Sequence, residues 1–284
     1  MNSTPPCIAN FTAFSLKSLI AAAFLVIPMG SLMAGTLIEP FSAPLEGIPT
    51  GWVRSKKAIS VPDSVAQVVP FGSGSWLSIE RPSSVTQGYA SDYSAAVYYT
   101  GSTDGIENGV LSDFSGMVTM NLTTVANSMS ARGVMLRAQS ASYSASGYFV
   151  AIYGGNADNP GGLGIWKDPV SHTDNGLQLD FVAFSQPIVQ GVDYVLHFSA
   201  IGAVLKAELT TADGATSLAS LELQLDAGYY ESGLFGARAG NQGANTVTYF
   251  KDVNITTAIP EPKVAYVAVI GIGLIAVGLQ RKQL

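Results

Sequence analysis

The chain has 284 residues, of which 48% are hydrophobic and only 12% charged. Residues 35–258 hold 10 Lys and Arg against 19 Asp and Glu, and so acidic a surface repels nucleic acid and anionic lipid. The one cysteine, Cys7, stands close to the N-terminus, so the long central stretch carries no disulfide and no thiol chemistry.

Lys17 precedes an apolar stretch over 18–29, no acidic residue occurs before Glu39, and Ala34 before Gly35 offers a small-residue cleavage point. This pattern predicts a secretory signal peptide over 1–34, with a helix in its apolar part, removed on export. Cys7 would leave with it.

From residue 35 the pattern changes to period two. Residues 116–125 put Val118, Met120 and Leu122 on one face and Thr119 and Asn121 on the other, as a half-buried strand requires. Similar runs occur at 76–80, 95–99, 133–137, 148–153, 177–184, 194–200, 204–210, 217–223, 233–239 and 246–255. Turn clusters separate them, among them Thr103-Asp104-Gly105, Asn108-Gly109 and Ala212-Asp213-Gly214. Ten or more short strands with this spacing predict one all-β domain over 35–258, a two-sheet antiparallel β-sandwich. No helical stripe and no internal repeat stands out.

The end of the chain differs again. Pro260-Glu261-Pro262 is followed by an uncharged run over 264–279 and then by Arg281 and Lys282. About sixteen residues at 1.5 Å each make roughly 24 Å, enough for a single transmembrane helix if Lys263 snorkels. The basic tip predicts a cytoplasmic C-terminus and a body on the outer side of the inner membrane. These residues, over 259–284, resemble the PEP-CTERM sorting signal of Gram-negative bacteria. The resemblance implies an exosortase as processing partner, with release of the body to the cell envelope or outside.

Three segments of the body resemble the concanavalin A-like and laminin G-like sandwich superfamily: the opening Phe41, Gly47, Pro49, Gly51 and Trp52, the middle 194–210, and the close, 233–236 with 247–253. The resemblance implies a jelly-roll sandwich and a choice among lectins, glycan hydrolases and adhesion modules. Hydrolases of this class usually show Glu-x-Asp-x-x-Glu along one strand, and that spacing is missing here. Glu222 and Asp226 are four apart but read as solvated charges at a strand end. His172 and His197 have no zinc-ligand spacing, and no nucleophile elbow with triad partners occurs.

Binding has more candidates. Trp166, behind Gly161-Gly162 and beside polar residues, and Tyr98 and Tyr230, each with an adjacent tyrosine, are the expected sugar-stacking rings. Asp104, Glu107 and Asp158 supply hard oxygens for calcium, the one cofactor with candidate ligands, against the simpler account that such residues cap turns. The sequence therefore predicts an exported, non-enzymatic envelope or matrix protein that binds glycan or adheres. An envelope glycan hydrolase and a purely structural surface protein stand as alternatives.

Overall fold

Alternating apolar and polar residues become strands along nearly the whole body. In this computed structural model the described residues are 34–42, 45–56, 66–81, 95–123, 131–154, 161–169, 176–240 and 246–258. The chain divides into Met1–Leu32 and Met33–Leu284, and every described residue belongs to the second unit. The signal segment, apart from Ala34, lies outside the described residues, as do Pro260, Glu261, Pro262, the helix expected over 264–279, Arg281 and Lys282. Among the described residues no helix is long and apolar enough to cross a membrane.

The strands in chain order are β1 (Thr36–Glu39), β2 (Trp52–Lys56), β3 (Ala66–Phe71), β4 (Gly74–Arg81), β5 (Ala95–Tyr99), β6 (Val110–Leu111), β7 (Phe114–Leu122) and β8 (Ala131–Ala138). They continue as β9 (Tyr148–Gly154), β10 (Gly161–Lys167), β11 (Leu177–Ala183), β12 (Asp193–Ile201), β13 (Val204–Thr211), β14 (Ser217–Gln224), β15 (Gly233–Ala239) and β16 (Thr246–Thr257). Among the described residues these make two eight-stranded sheets, with antiparallel pairing between neighbouring strands. The front sheet runs β14-β13-β12-β7-β16-β4-β3, with β1 also on β16. The back sheet runs β11-β10-β9-β8-β15-β5-β2, with β6 on β15. The all-β, two-sheet expectation holds.

The core lies between the sheets. Val118, Met120 and Leu122 of β7 enter it, as their spacing predicts, and Phe198 of the front sheet stacks on Phe235 of the back sheet at 5.2 Å. Trp52 packs between Phe41 at 5.2 Å and Tyr99 at 5.5 Å, and its indole N–H donates to Glu39 Oε2.

Two local features place the outer faces. Ile201 pairs with Val204, which leaves Gly202-Ala203 as a two-residue turn, and Gly202 takes the positive φ (53°) that such a turn demands. That turn locks His197 opposite Glu208. In β16 the pairing with β7 slips between Lys251 and Asn254, a bulge in which Asp252 has φ 52°. β16 ends beside the start of β1: Thr257 N–H donates to Gly35 O at 2.8 Å, and Gly35 N–H donates to Thr257 Oγ1 at 2.6 Å.

Candidate functional site

The middle of the back sheet's outer face is covered. Tyr98, Met135, Phe149 and Trp166 point there, and Tyr143 from the connection after β8 roofs them. Arg238 is buried beneath the roof with its guanidinium 4.4 Å from the Tyr143 ring and 5.0 Å from Phe149, and it donates to Pro169 O at 3.2 Å. Tyr98 is 0% exposed, its hydroxyl donates to Ser142 O at 2.8 Å, and burial pushes its phenol well above the ordinary tyrosine value. Trp166 is 5% exposed, 4.8 Å from the Tyr153 ring. The expectation that Tyr98 and Trp166 offer faces to a sugar is corrected by this roof, which covers the rings with protein. Tyr230 lies elsewhere, half-buried, with its hydroxyl donating to Asp168 Oδ1 at 2.9 Å and Lys167 over its ring at 5.3 Å. The three rings form no shared platform.

Of the calcium candidates, Asp104 and Glu107 fall among the described residues. Asp104 and Glu107 are exposed in two successive tight bridges, Thr103 with Ile106 and Glu107 with Val110, and Asn108 N–H donates to Ser102 Oγ at 2.9 Å. Asp158 and His172 lie outside the described residues. Among the described residues no group of three His, Cys, Asp or Glu is gathered to hold a metal.

The front sheet, by contrast, carries an open groove on its outer face, about 460 Å³ in volume. Strand register arranges its side chains in two transverse rows. One row runs Asn254, Met117, His197, Glu208 and Ser220, and the other Thr256, Ser115, Ser199, Lys206 and Glu222. Each row crosses β16, β7, β12, β13 and β14 at about 4.8 Å spacing, with a polar group at every step except Met117 on β7. Lys206 Nζ meets Glu222 Oε2 at 2.9 Å, both side chains well in water at 56% and 64% exposure, and His197 Nε2 lies 3.4 Å from Thr210 Oγ1. Phe198, Ala207 and Leu221 form the floor.

This groove can make many hydrogen bonds to a flat, hydroxyl-bearing ligand. It is less suited to cutting one. A glycosidase sets carboxyl groups on either side of the scissile bond. Glu208 and Glu222 stand on adjacent strands at the same edge, two positions out of line, with Lys206 directly opposite Glu222.

A second cavity of about 500 Å³ opens on the same face, between the β3–β4 turn and the β16 bulge. Phe71 stacks on Tyr249 at 4.0 Å and meets Trp76 edge-on at 5.3 Å. Lys251 Nζ lies 4.3 Å over the Trp76 ring. Asn121 is 2% exposed and its Nδ2 donates to Gly191 O at 2.9 Å and Asp193 Oδ1 at 2.6 Å. Neither cavity was anticipated from the sequence. The alternation of polar residues in 195–199, 206–210 and 217–223 was visible there, and register across five strands is what turns it into rows.

No family model matches the chain, and no curated protein matches it in sequence. Among solved structures it is similar to the Ca²⁺-bound VIP36 exoplasmic/lumenal domain, at 11% identity over 80% of this chain and 92% of that one, with a TM-score of 0.50. It is also similar to the legume lectin-like domain from Entamoeba histolytica, at 13% identity over 78% and 97% of the two chains and a TM-score of 0.47. The carbohydrate binding module CBM66 from Bacillus subtilis matches at 16% identity over 74% and 98%, with a TM-score of 0.42. Identity this low speaks to fold alone. The body of the chain is an all-β, two-sheet antiparallel sandwich of the concanavalin A-like fold.

Proposed function

We propose that this is an exported β-sandwich of the cell envelope or extracellular matrix that binds a polysaccharide on the outer face of its front sheet, without catalysis. The observation that carries the reading is the pair of transverse polar rows, where His197, Glu208, Ser199 and Lys206 present donors and acceptors at strand spacing to one open groove. Hydroxyl-rich polymers bind by many such bonds, each individually weak.

The export half rests on the chain termini. The signal pattern over 1–34 and the Pro260-Glu261-Pro262 element before the apolar run support secretion, a passing inner-membrane stage with Arg281 and Lys282 in the cytoplasm, and removal of the tail by an exosortase-type enzyme. Calcium enters the reading only as an additive worth testing.

One preparation tests both halves: the protein purified from the envelope or medium of its own host. Intact mass should show a chain beginning near Gly35 and lacking the residues after Pro262. On a glycan array, with and without calcium, the same material should retain polysaccharide, and His197→Ala with Glu208→Ala should weaken retention at least tenfold. A mass ending at Leu284 defeats the sorting reading. Undiminished binding by the double variant defeats the groove, and release of sugar fragments that stops in Glu208→Gln would replace binding by hydrolysis.

A further inference from the structure

The corner between the β3–β4 turn and the β16 bulge carries more acid than base. Among the described residues its charged side chains are Asp193, Asp252 and Lys251, two carboxylates against one ammonium. Lys251 Nζ sits 3.9 Å from Asp193 Oδ2 and 3.7 Å from Asp252 Oδ2, beyond the roughly 2.7 to 2.9 Å of a charge-assisted hydrogen bond. It rests over the Trp76 ring and closes on neither carboxylate. Both carboxylates keep contact with water, at 34% and 53% exposure.

Acceptors are in surplus as well. Asn121 spends its amide hydrogens on Gly191 O and Asp193 Oδ1, while its own Oδ1 is buried and meets no donor. Such a group is costly to leave unmatched. The corner thus holds more carboxylate than ammonium and, in Asn121 Oδ1, an acceptor without a donor, and Lys251 shows what fits: an alkylammonium between an aromatic face and carboxylates. The bulge that brings Asp252 here holds it at φ 52°, a backbone region that L residues other than Asn and Asp seldom occupy.

We infer that this corner takes a primary ammonium group borne by the ligand, so that the polymer bound on the front sheet carries free amino groups. The inference rests on the glycan reading above and narrows its substrate class to amino sugars that are not acetylated. Corner and rows share strands: Asp193 and His197 are four residues apart on β12, and Lys251 precedes Asn254 on β16. At about 3.3 Å per residue, one extended chain reaches both.

Three β-1,4-linked hexamers test it, those of glucose, N-acetylglucosamine and glucosamine, which differ only in the substituent at C2. Titrated into the full chain in neutral detergent, the glucosamine hexamer should bind at least tenfold tighter than the glucose hexamer. Asp193→Asn with Asp252→Asn should erase that preference. Both changes keep shape, the first retains an oxygen for Asn121, and asparagine tolerates the positive φ. Asp226→Asn with Glu231→Gln, an equal change of charge at exposed positions elsewhere, should leave the preference intact. Equal affinity for all three hexamers overturns the inference and leaves the glycan reading standing. A preference that survives the Asp193 and Asp252 changes, or that falls equally in the control, assigns it to general acidity and overturns the inference too. Binding of none of the hexamers also overturns it, with the array deciding the broader reading separately.

Discussion

Arg137 ties three turns together with one buried guanidinium. Its Nε and Nη2 donate to Ser112 O at 3.1 and 2.9 Å, and its Nη1 donates to Gly202 O and Tyr230 O, both at 2.9 Å. Nη2 also meets Asp113 Oδ1 at 3.2 Å, and that oxygen accepts Gly202 N–H at 2.7 Å. Burial pulls the Arg137 pKa down and Asp113 opposes the shift. Arg137→Met would strand three carbonyls, so the free energy of unfolding should fall by about 3 kcal/mol or more, read as a lower urea midpoint. Arg137→Lys cannot reproduce the planar fork and should fall between. An unchanged midpoint in Arg137→Met would show that the turns hold themselves. Glu39 acts through pH instead. Its carboxyl accepts Phe41 N–H at 2.7 Å and Trp52 Nε1–H at 3.2 Å, yet partial burial outweighs both and raises its pKa. The folded state therefore holds this proton more tightly than the unfolded one. The stability it adds is complete below the free glutamate value of about 4.3 and is lost as pH rises through the raised folded value. Glu39→Gln cannot ionise, so its stability relative to wild type should climb with pH across that window, and a constant difference in urea midpoint would refute the assignment.

At the scale of strands, period two was readable wherever one face meets the core. The reading of 116–125 put Val118, Met120 and Leu122 inward, and they are inward. β10, β6 and the edge strands β1, β2 and β3 escaped it, being short, glycine-rich or mixed in pattern. The groove was half legible: Gly202-Ala203 is a two-residue turn, and counting back from it places His197 opposite Glu208. The β16 bulge was not, because nothing in Lys251-Asp252-Val253 announces a residue at positive φ. The stacking rings fail for another reason. Tyr98 and Tyr99 do point to opposite faces, as adjacent strand residues must, and Tyr99 enters the core. What local pattern cannot reveal is that Tyr143, forty-odd residues away, covers the far side. Chemistry on a sheet face depends on what lies over it, and that is set by tertiary contact.

At the scale of the molecule, Gly35 and Thr257 meet in three hydrogen bonds, so the two ends of the sandwich are already joined through β1 and β16. A circular permutant that links Ala258 to Gly35 by a short Gly-Ser bridge and opens between Gly214 and Ala215, where the β13–β14 turn is exposed, should fold cooperatively with β-rich circular dichroism. Its thermal midpoint should lie near that of residues 35–258 alone. Loss of the transition would mean that the ends need their flanking segments.

The place of β16 has a mechanical consequence. It is an interior strand of the front sheet, bonded to β7 along one side and to β4 and then β1 along the other, and it leads directly to Ala258. A load drawn through Ala258 runs along the axis of that strand and is shared by hydrogen bonds on both flanks at once. Tension between the two ends of the sandwich instead parts the β1–β16 ladder one bond after another, like a seam. The protein should thus resist being dragged by its tail far better than being pulled open by its ends.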